Sequence, residues 1–232
     1  MMNRLILLFL LLVMNFLAFG QEGINFTDAS GLRQGAWRKS DKDGHKIYDG
    51  QFKNGIPYGE FRYYYADGKL KTVSEFTGDG KTVRTVSYSE NGRKIAEGNY
   101  RNEKKDSTWK YYSDYDGAML SEETYSSGLK NGTSETFYPN GSIAEVVNYR
   151  QGKKEGEWIQ YFEDGKMKFK GWYSNDENDG PFVAYYPGGQ VNLSGAYKAG
   201  HKDGTWTFYE ENGQVMRSEK YSEGALIIEK NQ

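Results

Sequence analysis

Glycine returns along this chain at nearly fixed intervals, and the interval limits the fold more than any other feature. Gly44, Gly68, Gly92, Gly117, Gly141, Gly165, Gly189 and Gly213 are spaced 24, 24, 25, 24, 24, 24 and 24 residues apart, and all but Gly189 follow Asp or Asn. Eight residues after each of them stands an aromatic: Phe52, Phe76, Tyr100, Tyr125, Tyr149, Tyr173, Tyr197 and Tyr221. A fixed period of this length marks a repeat protein, in which each unit is one supersecondary element stacked on the next.

Two further positions recur upstream of each turn. A bulky slot holds Trp37, Phe61, Thr85, Trp109, Ser134, Trp158, Phe182 and Trp206, and two residues before it a glycine slot holds Gly35, Gly59, Gly132, Gly156, Gly180 and Gly204, with Val83 and Ser107 as departures. Asp-Gly and Asn-Gly between alternating strands predict two-residue type I′ hairpin turns at positions such as Asp43-Gly44 and Asn140-Gly141. Counting back from those turns sets Trp37 against Gly50, Trp158 against Gly171, Phe182 against Gly195 and Ser134 against Val147. It also sets Phe52 against Gly35 and Tyr173 against Gly156, as rings covering bare strand glycines.

Met167, Phe169, Gly171 and Tyr173 alternate with Lys166, Lys168 and Lys170, so one strand face reads as core and the other as solvated. The expected fold is all-β: an elongated single-layer antiparallel meander of about eight 24-residue β-hairpin repeats, with about 16 strands spanning roughly 75 Å before twist. Val83 and Thr85 predict a bend or softer packing in the third unit. The extra residue in 113–116 predicts a wider turn or a bulge in the fourth. Leu226, Ile227 and Ile228 read as a final edge strand.

Residues 1–20 carry one cation, Arg4, and an apolar run from Leu5 to Phe19, with Ala18 and Gly20 at the small positions before a cleavage point at Gln21. This reads as a signal peptide, the competing reading being a retained N-terminal anchor. It is followed by a lead-in over 21–34, the repeat domain over 35–225 and a tail over 226–232. An exported, periplasmic, outer-surface or secreted location follows. Absence of Cys removes disulfide frameworks, thiolate metal sites, Cys nucleophiles and bacterial lipid anchoring. The 32 acids against 30 bases leave no footprint for nucleic acid.

The units Gly156-Glu157-Trp158 through Tyr161, Asp164-Gly165 and Tyr173, with the opening Asn25 to Trp37, resemble the MORN-repeat-variant family of exported bacterial proteins, often labelled YwqK-type antitoxins. The likeness covers nearly all of 25–225. It implies a β-hairpin scaffold used for protein contacts, membrane association in some relatives, or antitoxin-like neutralisation of a partner protein.

Enzymatic chemistry finds no carrier. His45 and His201 lie far apart without metal-ligand spacing, and no nucleophile elbow, phosphate loop or dinucleotide fingerprint is present. The Asp41 and Asp114 segments open like calcium loops but place Phe52 and Tyr125 where the twelfth-position Glu belongs. No catalytic residue, cofactor or metal is therefore assigned. The candidate binding feature is an aromatic ladder three residues after the bulky slot: Tyr64, Tyr88, Tyr112, Phe137, Tyr161, Tyr185 and Tyr209, interrupted only by Ser40. Its rungs would lie two strands apart, about 9.6 Å, on the face opposite the core-like one. Such a ladder either stacks a glycan or a protein partner, or covers its own neighbours on the second face of a thin sheet. The expected function is a non-catalytic exported scaffold for an unidentified protein partner, with glycan or cell-wall binding through the ladder as the alternative.

Overall fold

A computed structural model describes residues 23–227; the segment 1–20 expected to be a signal peptide and Ile228 of the expected edge strand lie outside them. No helix occurs among the described residues, which form one antiparallel sheet. The eight hairpins are Arg33–Ser40 with Lys46–Lys53, Ile56–Tyr64 with Leu70–Phe76, Thr82–Tyr88 with Lys94–Arg101, Lys104–Tyr112 with Met119–Ser126, Leu129–Phe137 with Ile143–Arg150, Lys153–Tyr161 with Met167–Ser174, Glu177–Asn178 and Gly180–Tyr185 with Val191–Lys198, and His201–Tyr209 with Val215–Ser222. Two short edge strands, Phe26–Thr27 and Ala225–Leu226, and a break at Asp179 bring the strand count to 19 against the 16 expected. Each strand pairs with its neighbours in the chain, giving an open single-layer meander.

The counted register is the observed one: Trp37 faces Gly50, Trp158 faces Gly171, Phe182 faces Gly195, Ser134 faces Val147, Phe52 faces Gly35 and Tyr173 faces Gly156. The turn type behind that count is different. In the first unit the Gly44 N–H donates to the Asp41 carbonyl and the Asp41 N–H to the His45 carbonyl, closing a three-residue loop. Gly44 takes φ 89° while Asp43 keeps a negative φ, so the loop is a non-primed turn followed by a left-handed glycine, not a type I′ pair. Asp41 favours it by accepting the N–H groups of Asp43 and His45 on one carboxylate oxygen. The loop displaces the pairing by one residue, and a bulge between Lys39 and Ser40 restores it. Asn140-Gly141 follows the same pattern.

True two-residue turns with positive φ at both centres occur instead at the junctions between units: Asn54-Gly55, Asn102-Glu103, Ser127-Gly128, Gln151-Gly152, Asn175-Asp176, Ala199-Gly200 and Glu223-Gly224. Within the fourth unit the turn widens by one residue, as the extra position predicts, with the Gly117 N–H reaching the Ser113 carbonyl.

The glycine slot before each bulky residue also has a different reason. Gly59 and Gly204 adopt φ 65° and 71°, and a Cβ there would meet no atom within 4 Å. The slot needs glycine for a left-handed backbone at the junction bulge, not because a ring covers it. Ser107 adopts the same conformation at φ 60°. Val83 does not, and the strands around it, Thr72 to Phe76 against Val83 to Ser87, run without a register shift.

Ring-on-glycine packing occurs one strand further on, between units. A Cβ on Gly50, Gly98 or Gly195 would clash at 2.3–2.7 Å with ring atoms of Phe61, Trp109 or Trp206 respectively, each belonging to the next unit. Gly171 lies between Phe182 and Trp158. These rings are the core of a sheet with no covering layer: Trp206 is 0 %, Phe61 3 % and Trp109 3 % exposed. The terminal aromatics close over them edge to face, with centroid separations of 5.3 Å for Phe52–Phe61, 4.9 Å for Tyr100–Trp109 and 4.9 Å for Tyr197–Trp206. Such pairs add about 0.5–1.5 kcal/mol each beyond burial.

Gly195→Ala should therefore lower unfolding stability by about 1–3 kcal/mol through overpacking against Trp206. Glu103→Gly should raise it by about 0.5–1 kcal/mol, because it relieves a left-handed non-glycine residue where five other junctions already place glycine. Urea denaturation midpoints of the two variants check both signs.

Candidate functional site

The seven ladder residues occupy equivalent places on the first strands of units two to eight, and each is half-buried. Among the described residues no two rungs make a ring pair. Two rungs are locked in place. The Tyr64 hydroxyl donates to Asp49 Oδ2 at 3.0 Å, Lys46 Nζ lies 2.6 Å from the same oxygen, and that ammonium stands 3.8 Å from the centre of the Tyr64 ring. Lys94, Glu97 and Tyr112 repeat the arrangement, with Lys94 at 4.1 Å from the ring. No cation stands over Phe137, Tyr161, Tyr185 or Tyr209 among the described residues; Tyr209 shares a 3.3 Å hydroxyl contact with Ser194.

Titration follows the contacts. The Tyr112 hydroxyl and the Lys94 ammonium hold Glu97 below the ordinary glutamate range, while burial and the Glu97 hydrogen bond push the Tyr112 phenol up. On the other face, burial alone would raise Glu123, but hydrogen bonds from Lys130 and Tyr125 outweigh it and leave the carboxyl lowered.

Sequence reading missed three sets of residues. The first follows the ladder by one position: the Tyr65, Tyr138 and Tyr186 hydroxyls donate to the carbonyls of Tyr88, Tyr161 and Tyr209 in the next unit at 2.8, 2.8 and 2.7 Å. Recurrence of Tyr directly after the rung was the available signal. The second is a cation four residues before the bulky slot. Arg33, Lys105, Lys130, Lys154 and Lys202 each stand 4.6–5.0 Å from a ring of the core face. Their ammonium and guanidinium groups cap the rings while their stems cover apolar area.

The third is a hollow of about 980 Å³ on the core face, lined by Tyr63, Ser74, Phe76, Val83, Thr85 and Tyr100, with Lys71, Lys81 and Glu103 also bordering it. It lies at the third unit, where Thr85 replaces the slot ring and the junction lacks its bulge. Softer packing was expected there; an open, aromatic-walled hollow is what results.

One group has metal-ligand proximity among the described residues: the exposed Asp41, Asp43 and His45, with ligand atoms within 4.8 Å of one another. Asp41 is already engaged, accepting the Asp43 and His45 N–H groups and contacting His45 Nδ1 at 3.0 Å. The group carries the hairpin turn. His201 stands apart from it at the start of the eighth unit, packed against Gly224.

The fold and its contacts define an all-β hairpin-repeat protein. Four segments, residues 57–77, 130–151, 154–175 and 202–223, match the family model described as MORN repeat variant. They fall in the second, fifth, sixth and eighth units; the first, third, fourth and seventh are not among them. Repeats of this kind are in general modules for protein or lipid interaction and not catalytic units. No curated protein matches the chain. Among solved structures, one titled "Crystal Structure of TcdB2-TccC3-Cdc42" aligns at 12% identity with a TM-score of 0.21, covering 85% of this chain and 18% of that one.

Glu97 and Glu123 each contribute stability that is present above the ordinary glutamate pKa and lost as the pH falls through their lowered values. The urea midpoint should therefore drop as the pH is taken from neutral to below that range, and the combined Glu97→Gln and Glu123→Gln variant should show a smaller drop. An equal drop in the variant would place the acid sensitivity in other carboxylates.

Proposed function

We propose that this chain is a non-catalytic, exported repeat scaffold that binds a protein partner across its sheet. The observation that carries the reading is the single layer itself. Ring-on-glycine packing holds successive hairpins together without a second layer, so both faces reach solvent along the whole repeat array. Long repeat arrays of this kind bind through extended faces instead of enclosed sites. The general use of MORN-type repeats in interaction supports it, and antitoxin-like neutralisation would be one form of the same activity. Export rests on the signal-like residues 1–20.

Glycan stacking on the ladder is the second reading. It is favoured at the rungs that carry no lysine, which are Tyr88 and the unbroken run from Phe137 to Tyr209. Combined substitution of Tyr161, Tyr185 and Tyr209 by Ala should abolish retention on an immobilised cell-wall polysaccharide if the reading holds, with the fold kept.

Two measurements test the main proposal. Protein recovered from the cell envelope should begin at Gln21. Crosslinking in intact cells should yield a protein adduct that saturates and is displaced by excess unlabelled chain. A protein that stays in the cytosol removes the export claim, and crosslinking that never saturates removes the scaffold claim.

A further inference from the structure

The third unit leaves the packing rule of the molecule incomplete. Phe61 before it and Trp109 after it each lie buried on a strand glycine. Between them Thr85 faces Ser74, two small buried residues whose hydroxyls are 3.2 Å apart. The row of rings is broken there, and the hollow opens in the gap with the rings of Tyr63, Phe76 and Tyr100 on its walls.

An independent observation concerns the cations. Arg33, Lys105, Lys130, Lys154 and Lys202 each stand over a ring. Lys81 stands at the same sequence offset, four residues before Thr85, but in the bend that precedes Thr82–Tyr88 instead of on a strand, and it borders the hollow. Among the described residues it stands over no ring and has no carboxylate within salt-bridge distance. Lys71 borders the hollow too, stands 5.4 Å from the Tyr65 ring and likewise has no carboxylate partner, while Glu103 is the single acid of the lining.

We infer that this hollow receives one aromatic side chain of the protein partner, presented on a short segment whose flanking carboxylates meet Lys81 and Lys71. The inference rests on the protein-binding reading and names the chemistry of the partner. An inserted ring would continue the row from Phe61 to Trp109, lying against Tyr63, Phe76 and Tyr100 at edge-to-face range, and would lie under Lys81 as the chain's own rings lie under its other cations. A buried aromatic anchor within a charged rim is the usual composition of a dominant contact in a protein interface. The two cations against one acid set the sign of the flanking charge.

The test uses the purified protein and acetylated, amidated peptides read by NMR titration: Asp-Glu-Trp-Glu-Asp, its counterpart with Ala for Trp, its counterpart with Lys at all four acidic positions, and N-acetyltryptophan amide. The acidic Trp peptide should shift the amides of Thr85, Val83 and Tyr100, and bind at least about tenfold more tightly than the other three probes. The double variant Ser74→Gly with Thr85→Trp should abolish this binding while keeping the urea midpoint at or above that of the parent, because it supplies from within both the ring and the strand glycine it lies on, as Phe61 on Gly50 and Trp109 on Gly98 do. If that variant does not fold, Lys81→Glu at the rim decides, with a loss of about tenfold expected.

Equal binding of the Ala peptide, shifts confined to other units, or full binding by either folded variant would overturn the inference. Free tryptophan amide binding as tightly as the peptide would overturn the assignment to a protein segment. Failure here leaves the crosslinked partner of the scaffold proposal standing, since that adduct can form on any other part of the sheet.

Discussion

Everything else in this structure depends on an aromatic ring lying across a residue that has no side chain. A sheet needs something to cover its apolar face, and most proteins supply a second sheet or a layer of helices. Here Phe61, Trp109 and Trp206 lie flat on Gly50, Gly98 and Gly195 of the preceding hairpin, with no room for even a methyl group between ring and backbone. The rings are buried sideways, by neighbours in the same layer, and the lysine stems of Lys105 and Lys202 close Trp109 and Trp206 from above. Because each ring comes from one unit and its glycine from the unit before, the contact that buries the core is also the contact that joins the repeats.

That arrangement requires a backbone that alternates between two kinds of turn. Inside a unit the turn is a three-residue loop, four in the fourth unit, ended by a left-handed glycine. Between units it is a two-residue turn with both centres left-handed, followed by a bulge at the glycine slot. The junction turns are also stitched backwards: the N–H groups of Gly55, Gly128, Gly152 and Gly224 donate to the carbonyls of Arg33, Lys105, Lys130 and Lys202. Each of those acceptors carries one of the side chains that cap the rings. A single stretch of chain thus ends one hairpin's ladder, begins the next and places the cation over the core.

The period, strand pairing and core face were legible in the sequence because glycines and aromatics in phase leave only one register that matches large residues to small ones. Trp37 against Gly50 and Ser134 against Val147 follow from that count. Turn chemistry was not legible to the same depth. Asp43-Gly44 suits both a type I′ turn and the loop that forms, and the one-residue difference is hidden by the compensating bulge after Lys39. The glycine slot misled for a related reason: Gly35 does face Phe52, but its positive φ, not the ring, is what excludes other residues. The ladder positions were readable by spacing. The clamps on Tyr64 and Tyr112 were not, since they combine residues from two units whose partnership only the folded sheet creates.

A repeated surface has a difficulty as a binding site: if every unit offers the same contacts, a partner can slide by one unit and bind equally well. Specific attachment needs a place where the repeat is broken. The third unit is such a place, lacking at once the slot ring, the glycine and the junction bulge that the adjoining units have in some combination. Val83 and Thr85 complement each other in this: without a bulge at Val83 the strands run straight, and without a ring at Thr85 nothing fills the space above them. A hollow that needs two coordinated departures from an otherwise repeated pattern gives the array a fixed reference point, from which contacts along the regular units on either side can be counted.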